Sequence, residues 1–158
     1  MKTVFPKQEC HIPKWFVIDA TDKTLGRLAT EVSKLLRGKE SSYFTPGVDQ
    51  GNYVIVLNAA QIEVTGKKEL QKKYYRNSQT PGNLKTETFQ QLKNRIPTRI
   101  VERAIWGMLP KGPLGRQYYR RLYVYSAEKM LLTTKLVQKE QISEAEVLRL
   151  PNWVEVKV

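Results

Sequence analysis

The sequence has little that could do chemistry. It holds one cysteine, Cys10, and one histidine, His11, among 158 residues. A disulfide within the chain is therefore excluded. A structural Cys/His zinc site takes about four ligands, and two adjacent ones fall short. Neighbouring side chains of an extended segment point to opposite faces, so the pair is also badly placed for nucleophilic catalysis. No Ser/His/Asp arrangement can form without His11. No apolar run reaches the roughly 18 residues that a spanning helix needs. The first fourteen residues lack the apolar centre of a secretory signal. Val64-Thr-Gly-Lys67 carries only one of the two glycines of a nucleotide-binding P-loop, and the G-x-G-x-x-G pattern is absent. No metal, cofactor, membrane or small-molecule substrate is expected.

What the chain does have is positive charge, +12 overall, with a sequence pI near 9.8. The charge is uneven. Residues 1–63 hold 8 Lys/Arg against 7 Asp/Glu, and residues 122–158 hold 5 against 5. Residues 64–121 hold 14 against 3, so +11 of the +12 lies in the middle third. A surface built only for solubility mixes its signs. A concentrated excess is the footprint of a polyanion-binding face.

Trp15–Ala20 is short, apolar and rich in aromatic and β-branched residues, as a buried strand is. After capping oxygens in Thr21–Thr24, the residues Leu25, Leu28, Ala29, Val32, Leu35 and Leu36 recur at helical spacing, and Gly38 follows as a stop. Tyr53–Leu57 reads as a second strand. Strand, helix and strand make a βαβ unit with a right-handed crossover and parallel pairing. Farther on, Thr86 is expected to cap a short helix holding Phe89 and Leu92. Ile100, Val101, Ala104, Ile105 and Met108 mark another helix opened by Pro97. Pro113 opens a third through Leu114, Tyr118 and Leu122, and Leu122–Tyr125 is a last strand. Ser143 to Glu146 is a capping box that opens a helix stopped by Pro151.

Two regions combine charge with features suited to RNA. In the first, Lys67, Lys68, Lys72, Lys73 and Arg76 can meet phosphates, while Tyr74 and Tyr75 stack on a base or fill the core. In the second, Gly107-Met-Leu-Pro-Lys-Gly-Pro-Leu-Gly-Arg116 has glycines that admit a close backbone approach and prolines that stiffen the loop. Lys111, Arg116, Arg120 and Arg121 stand beside it. A sharp corner between packed helices explains the same composition, and the two readings are compatible. Lys23, Arg27, Arg37 and Lys39 around the first helix complete the candidate set, with Gly112 and Gly115.

This second stretch resembles the signature of the universal large-subunit ribosomal protein thirteen family. Trp15–Thr30, Leu36–Lys39, Tyr43–Pro46, Gly51–Asn58 and Val64–Lys67 resemble further family motifs in the same order, over about residues 14–126. The resemblance implies a three-layer α/β/α fold around a four-stranded, mainly parallel sheet. It implies a structural, non-enzymatic protein that binds large-subunit ribosomal RNA and supports subunit assembly. An N-terminal arm (1–14), the α/β domain (15–126) and a C-terminal extension (127–158) with a short helix are the expected parts. The chain departs from the family's bacterial-type pattern at Gly47, in residues 76–83 and in the neutral extension. Residues 130–158 are expected to pack on a neighbouring ribosomal protein or on the chain's own domain. A plastid or other organelle ribosome is the expected location, with a bacterial cytoplasm as the alternative. A free RNA-binding regulator of a messenger is the competing function.

Overall fold

The structure is a computed structural model and describes residues 5–7 and 11–126. Strand β1, Trp15–Asp19, leads to helix α1, Leu25–Leu36, and then to β2, Tyr53–Leu57. The helix buries Leu25, Leu28, Ala29, Val32, Leu35 and Leu36, the stripe that the spacing predicts. Its end is a Schellman motif: the Gly38 N–H donates to Leu35 O at 2.9 Å and the Lys39 N–H to Lys34 O at 3.1 Å. Gly38 has φ +71°, and a Cβ there would strike the Gln50 carbonyl. Glycine is thus required twice, by conformation and by space.

A 3-10 turn, Ala59–Gln61, and a short helix α2, Lys68–Gln71, come next. Strands β3, Lys73–Asn77, and β4, Leu84–Thr88, form an antiparallel hairpin. Helices α3, Phe89–Arg95, α4, Thr98–Met108, and α5, Pro113–Arg120, precede β5, Leu122–Val124. One expectation is corrected here. Thr86 lies in β4 and caps nothing. Thr88 is the cap of α3: its hydroxyl accepts from the Gln91 N–H, and the Gln91 side chain accepts from the Thr88 N–H at 2.9 Å.

The architecture is α/β, with a parallel sheet ordered β1-β2-β5 and the hairpin as a second, two-stranded sheet. Among the described residues the parallel sheet has three strands, not the four expected. The described helices also form one layer rather than two. Both crossovers step in the same direction along the sheet, and right-handed connections then put every helix on the same face. The strand residues confirm it by parity. Phe16, Ile18, Val54 and Val56 join α1, α3, α4 and α5 in the main core. Val17, Ile55 and Leu57 point the other way into a small cluster with Trp15, Tyr123 and Tyr125. There Trp15 stacks on Tyr53 with ring centroids 4.3 Å apart. The expected helix around residues 143–151 lies outside the described residues.

Buried polar groups fasten the sheet to the helices. The Asn52 amide donates to Leu35 O at 3.2 Å, and its Oδ1 accepts from the Lys14 N–H at 3.1 Å. Asp49 is buried beside it, and its carboxylate takes both guanidinium nitrogens of Arg121, at 2.6 and 2.8 Å. Asp19 closes the carboxyl end of β1, accepting from the Thr21 hydroxyl at 2.7 Å and from the Asn58 amide at 3.0 Å.

Candidate nucleic-acid interface

Helix α4 has two faces. Ile100, Val101 and Ile105 are buried in the core. Arg99, Arg103 and Trp106 recur at i, i+4 and i+7, so they share the opposite face. This face joins the two regions that the charge distribution singled out. At one end the Arg103 guanidinium lies 5.6 Å from the Tyr74 ring centroid, with Lys72 Nζ at 5.6 Å from the same ring. At the other, Lys111 Nζ lies 5.3 Å from the Trp106 ring and donates to Trp106 O at 2.9 Å. Tyr119 of α5 packs edge-on against Trp106, centroids 5.1 Å apart. A continuous basic and aromatic band thus runs from the hairpin, along α4, to the α4–α5 corner.

Strand alternation divides the two tyrosines that the sequence left equivalent. Tyr74 turns inward and packs on the main core. Burial pushes its hydroxyl pKa up, against the pull of the Arg103 charge. Tyr75 turns outward and is 58% exposed. Only Tyr75 is free to stack on a base. Lys67, Lys68, Lys72, Lys73 and Arg76 are all exposed. Glu87 is the acidic group of the hairpin, and its charge is already taken: Arg95 Nη2 donates to both carboxylate oxygens at 2.7 and 2.8 Å. That hydrogen bond holds its pKa down, with burial opposing and the charges of Arg95, Arg99 and Arg103 assisting.

At the corner, the glycines do different work. Gly112 is exposed, and a Cβ on it would meet nothing within 4 Å; the same holds for Gly107. Gly115 is buried, and a Cβ there would collide with the Pro110 carbonyl. Gly115 therefore serves the tight return of α5 onto the chain before it, which corrects its place among the ligand-approach glycines. Arg116 and Arg120 lie one helical turn apart and are exposed. Arg121 is different. Besides Asp49 it donates to Gly51 O at 2.7 Å, and its guanidinium lies 5.7 Å from the Tyr53 ring. Its charge is committed to the fold, and it leaves the candidate set for that reason.

Around α1, Arg27 and Lys39 are exposed, whereas Lys23 and Arg37 are partly buried. Arg37 sits at the helix end with its guanidinium 5.9 Å from the Phe44 ring. His11 is engaged too, with Nε2 3.3 Å from Gly51 O. Sequence reasoning missed Arg99, Arg103 and Trp106, although the apolar stripe of α4 already left them on the other face. It also missed Lys85, because β4 has no apolar alternation to mark it as a strand.

A basic α/β domain that gathers cations along one helix face and one hairpin has the charge layout of a polyanion-binding domain. Comparison with known proteins gives the particular family. The family model described as ribosomal protein L13 matches residues 13–131. The large ribosomal subunit protein uL13 of Picosynechococcus sp. (strain PCC 7002) is 54% identical over 126 residues, which cover 80% of this chain and 83% of the relative. The protein of the same name from Prochlorococcus marinus (strain MIT 9312) is 55% identical over 78% of this chain and 87% of its own length. That from Borrelia turicatae is 51% identical over 85% and 90%. The chain belongs to the ribosomal protein L13 family.

Proposed function

We propose that this chain is a structural constituent of the large ribosomal subunit, binding large-subunit ribosomal RNA through the band from the hairpin to the α4–α5 corner. The carrying observation is that exposed cations (Lys67, Lys68, Lys72, Lys73, Arg76, Arg116, Arg120) flank a helix face of Arg99, Arg103 and Trp106, beside Lys111 and Gly112. Phosphate neutralisation supplies affinity there, and the exposed Tyr75 adds a stacking surface. Lys23, Arg27, Arg37 and Lys39 would form a separate contact around α1. Its role is binding and assembly, with no catalysis. The names of the relatives support the assignment to the large subunit over a free regulator of a messenger. A plastid or other organelle ribosome is the proposed location, with a bacterial one as the alternative; the cyanobacterial relatives fit both.

The test is sedimentation of a source-cell lysate through a sucrose gradient. The chain should travel with the large subunit and stay there as salt is raised. A chain found mainly at the top of the gradient would transfer the band to another RNA.

The fourth strand and second helical layer fall to residues 127–158 in this reading. Parallel sheets are covered on both faces. A right-handed return from β5 to the free edge of β1 would lay the extension across Val17, Ile55 and Leu57, which are buried to within 4%. With Trp106 and Trp153 replaced by Phe, ending the chain at residue 126 should then shift Trp15 fluorescence to the red. An unshifted spectrum would leave the extension for a neighbouring protein instead.

A further inference from the structure

The hairpin β3–β4 has a register that gives its two faces different chemistry. Tyr74 lies opposite Glu87, and Arg76 opposite Lys85; these four share the face that turns toward the body. Lys73 lies opposite Thr88, Tyr75 opposite Thr86, and Asn77 opposite Leu84; these share the outward face. On this face the Tyr74 and Glu87 level touches the rest of the chain, through the core packing of Tyr74 and the Glu87–Arg95 ion pair. One level farther out, Arg76 and Lys85 are both exposed and overhang the body.

Arg76 and Lys85 are an unusual pair. Directly opposed residues have Cβ atoms about 5 Å apart, and like charges in that position destabilise a sheet. No carboxylate among the described residues pairs with either; the only described acid of the hairpin is Glu87, which Arg95 holds. Two adjacent cations without a counter-ion lower the stability of the free hairpin. An anion between them would reverse the sign of that effect. On the outward face, Tyr75 at 58% and Leu84 at 60% exposure stand beside Lys73 and two threonines. Tyr75 and Leu84 occupy diagonal positions of one face, about 7–8 Å apart, so they form a single flat apolar platform.

Building on the RNA-binding reading above, we propose that the hairpin is a two-sided wedge seated between two segments of ribosomal RNA. The outward face stacks an unpaired base on Tyr75, with Lys73 on that nucleotide's phosphate. The inward face clamps a phosphate of a second segment between Arg76 and Lys85. A ribbon is suited to this: its side chains project alternately up and down, so neighbouring residues serve different strands. The +11 excess of residues 64–121 supplies the field that draws both segments in. The occupant of the outward face is RNA rather than protein because the apolar platform is bordered by a lysine and is small.

The test uses the full chain and refolded large-subunit ribosomal RNA from the source cells. Binding is measured across a salt series, with chemical probing of bases and backbone. Tyr75→Ala should weaken binding roughly 5- to 150-fold, the range expected for one lost base stack, without changing the salt slope. It should expose one base to modification. Tyr75→Phe should bind like the wild type. Arg76→Gln with Lys85→Gln should lower the slope of log K against log salt by about 0.7, the value for the one phosphate that the pair clamps. Its lost backbone protections should fall in a segment other than the one carrying the base exposed by Tyr75→Ala. The same double variant should leave the melting temperature of the free protein unchanged or raised, since it removes a repulsion.

Wild-type affinity in Tyr75→Ala, an unchanged slope in the double variant, or protections lost in one and the same segment would each overturn the wedge. So would a Tyr75→Ala defect that shows only when other ribosomal proteins are present, because it assigns the outward face to a protein. If the wild-type chain itself lacks salt-dependent affinity for this RNA, the RNA-binding reading fails first.

Discussion

Replacing Arg121 with Gln should damage the fold and spare the RNA contacts. The guanidinium spans a buried carboxylate with two short bonds, 2.6 and 2.8 Å, and also donates to Gly51 O at 2.7 Å. The Asp49 side chain keeps 4% of its exposure and the Arg121 side chain 20%. Asp49 would be left with the bond from the Gly51 N–H, at 3.1 Å. Breaking a buried pair from one side costs 3–5 kcal/mol, and the partial exposure of Arg121 puts this case near the lower end, about 3 kcal/mol. For a domain of this size, that is a fall in melting temperature of roughly 10 °C. Calorimetry on the purified chain measures it. Adding Asp49→Asn should recover much of the loss, because the unpaired charge is then gone. The RNA salt slope should not move, since no phosphate contact is removed. A variant that melts within a degree or so of the wild type but loses about 0.7 of the slope would show that Arg121 serves RNA and that this account of the latch is wrong.

Two further effects should separate packing from charge. Gly115→Ala should destabilise the corner by about 1–3 kcal/mol, because the new methyl meets the Pro110 backbone, whereas Gly107→Ala has open space and should stabilise α4 by up to about 1 kcal/mol; paired thermal melts decide it. Burial raises the Asp19 pKa, but bonds from Thr21 and Asn58 and the Lys23 charge outweigh it and hold the group below its ordinary 3.8. Its stabilising contribution is therefore present above that value and lost as pH falls through the lower folded pKa. Asp19→Asn should lower stability at neutral pH and close the gap to the wild type in strong acid, measured by urea unfolding across the pH series.

The β1-α1-β2 unit was legible because each segment carries a clean period: alternation or an apolar run in the strands, and 3.6-residue spacing in the helix. The hairpin was not. Leu84–Thr88 has one apolar residue and no buried one, so nothing in its hydropathy separates a strand from a loop. What holds it is pairing with Lys73–Asn77, a long-range fact. The misplaced helix cap followed from the same blindness, since Thr86 and Thr88 are equally good caps until β4 claims the first. The corner showed its function only partly. Three glycines in Gly107–Arg116 look alike in sequence, yet Gly115 alone is pressed against a carbonyl. Arg116, Arg120 and Arg121 also look alike. Only the fold brings Asp49, 72 positions away, to the last of them.

That division among the cations follows from where carboxylates are scarce. The middle third holds three acidic residues, Glu69, Glu87 and Glu102. Glu87 is taken by Arg95, and Glu102 stands near Tyr119, where its charge adds to burial in raising the tyrosine pKa. Asp49 reaches in from outside the basic region and takes Arg121. Each of these acids orders a piece of the scaffold: the hairpin base, the α4–α5 packing and the edge of β5. Exposed cations without an ion pair among the described residues remain at the hairpin overhang and along α5. A protein that neutralised them internally would have a more stable fold and a weaker field. Leaving them unpaired costs stability in the free chain, and an external polyanion returns it on binding. The melting temperature of the free chain should thus respond to the overhang pair and to the Arg121 latch with opposite signs, although Arg76, Lys85 and Arg121 all lie in the same basic stretch.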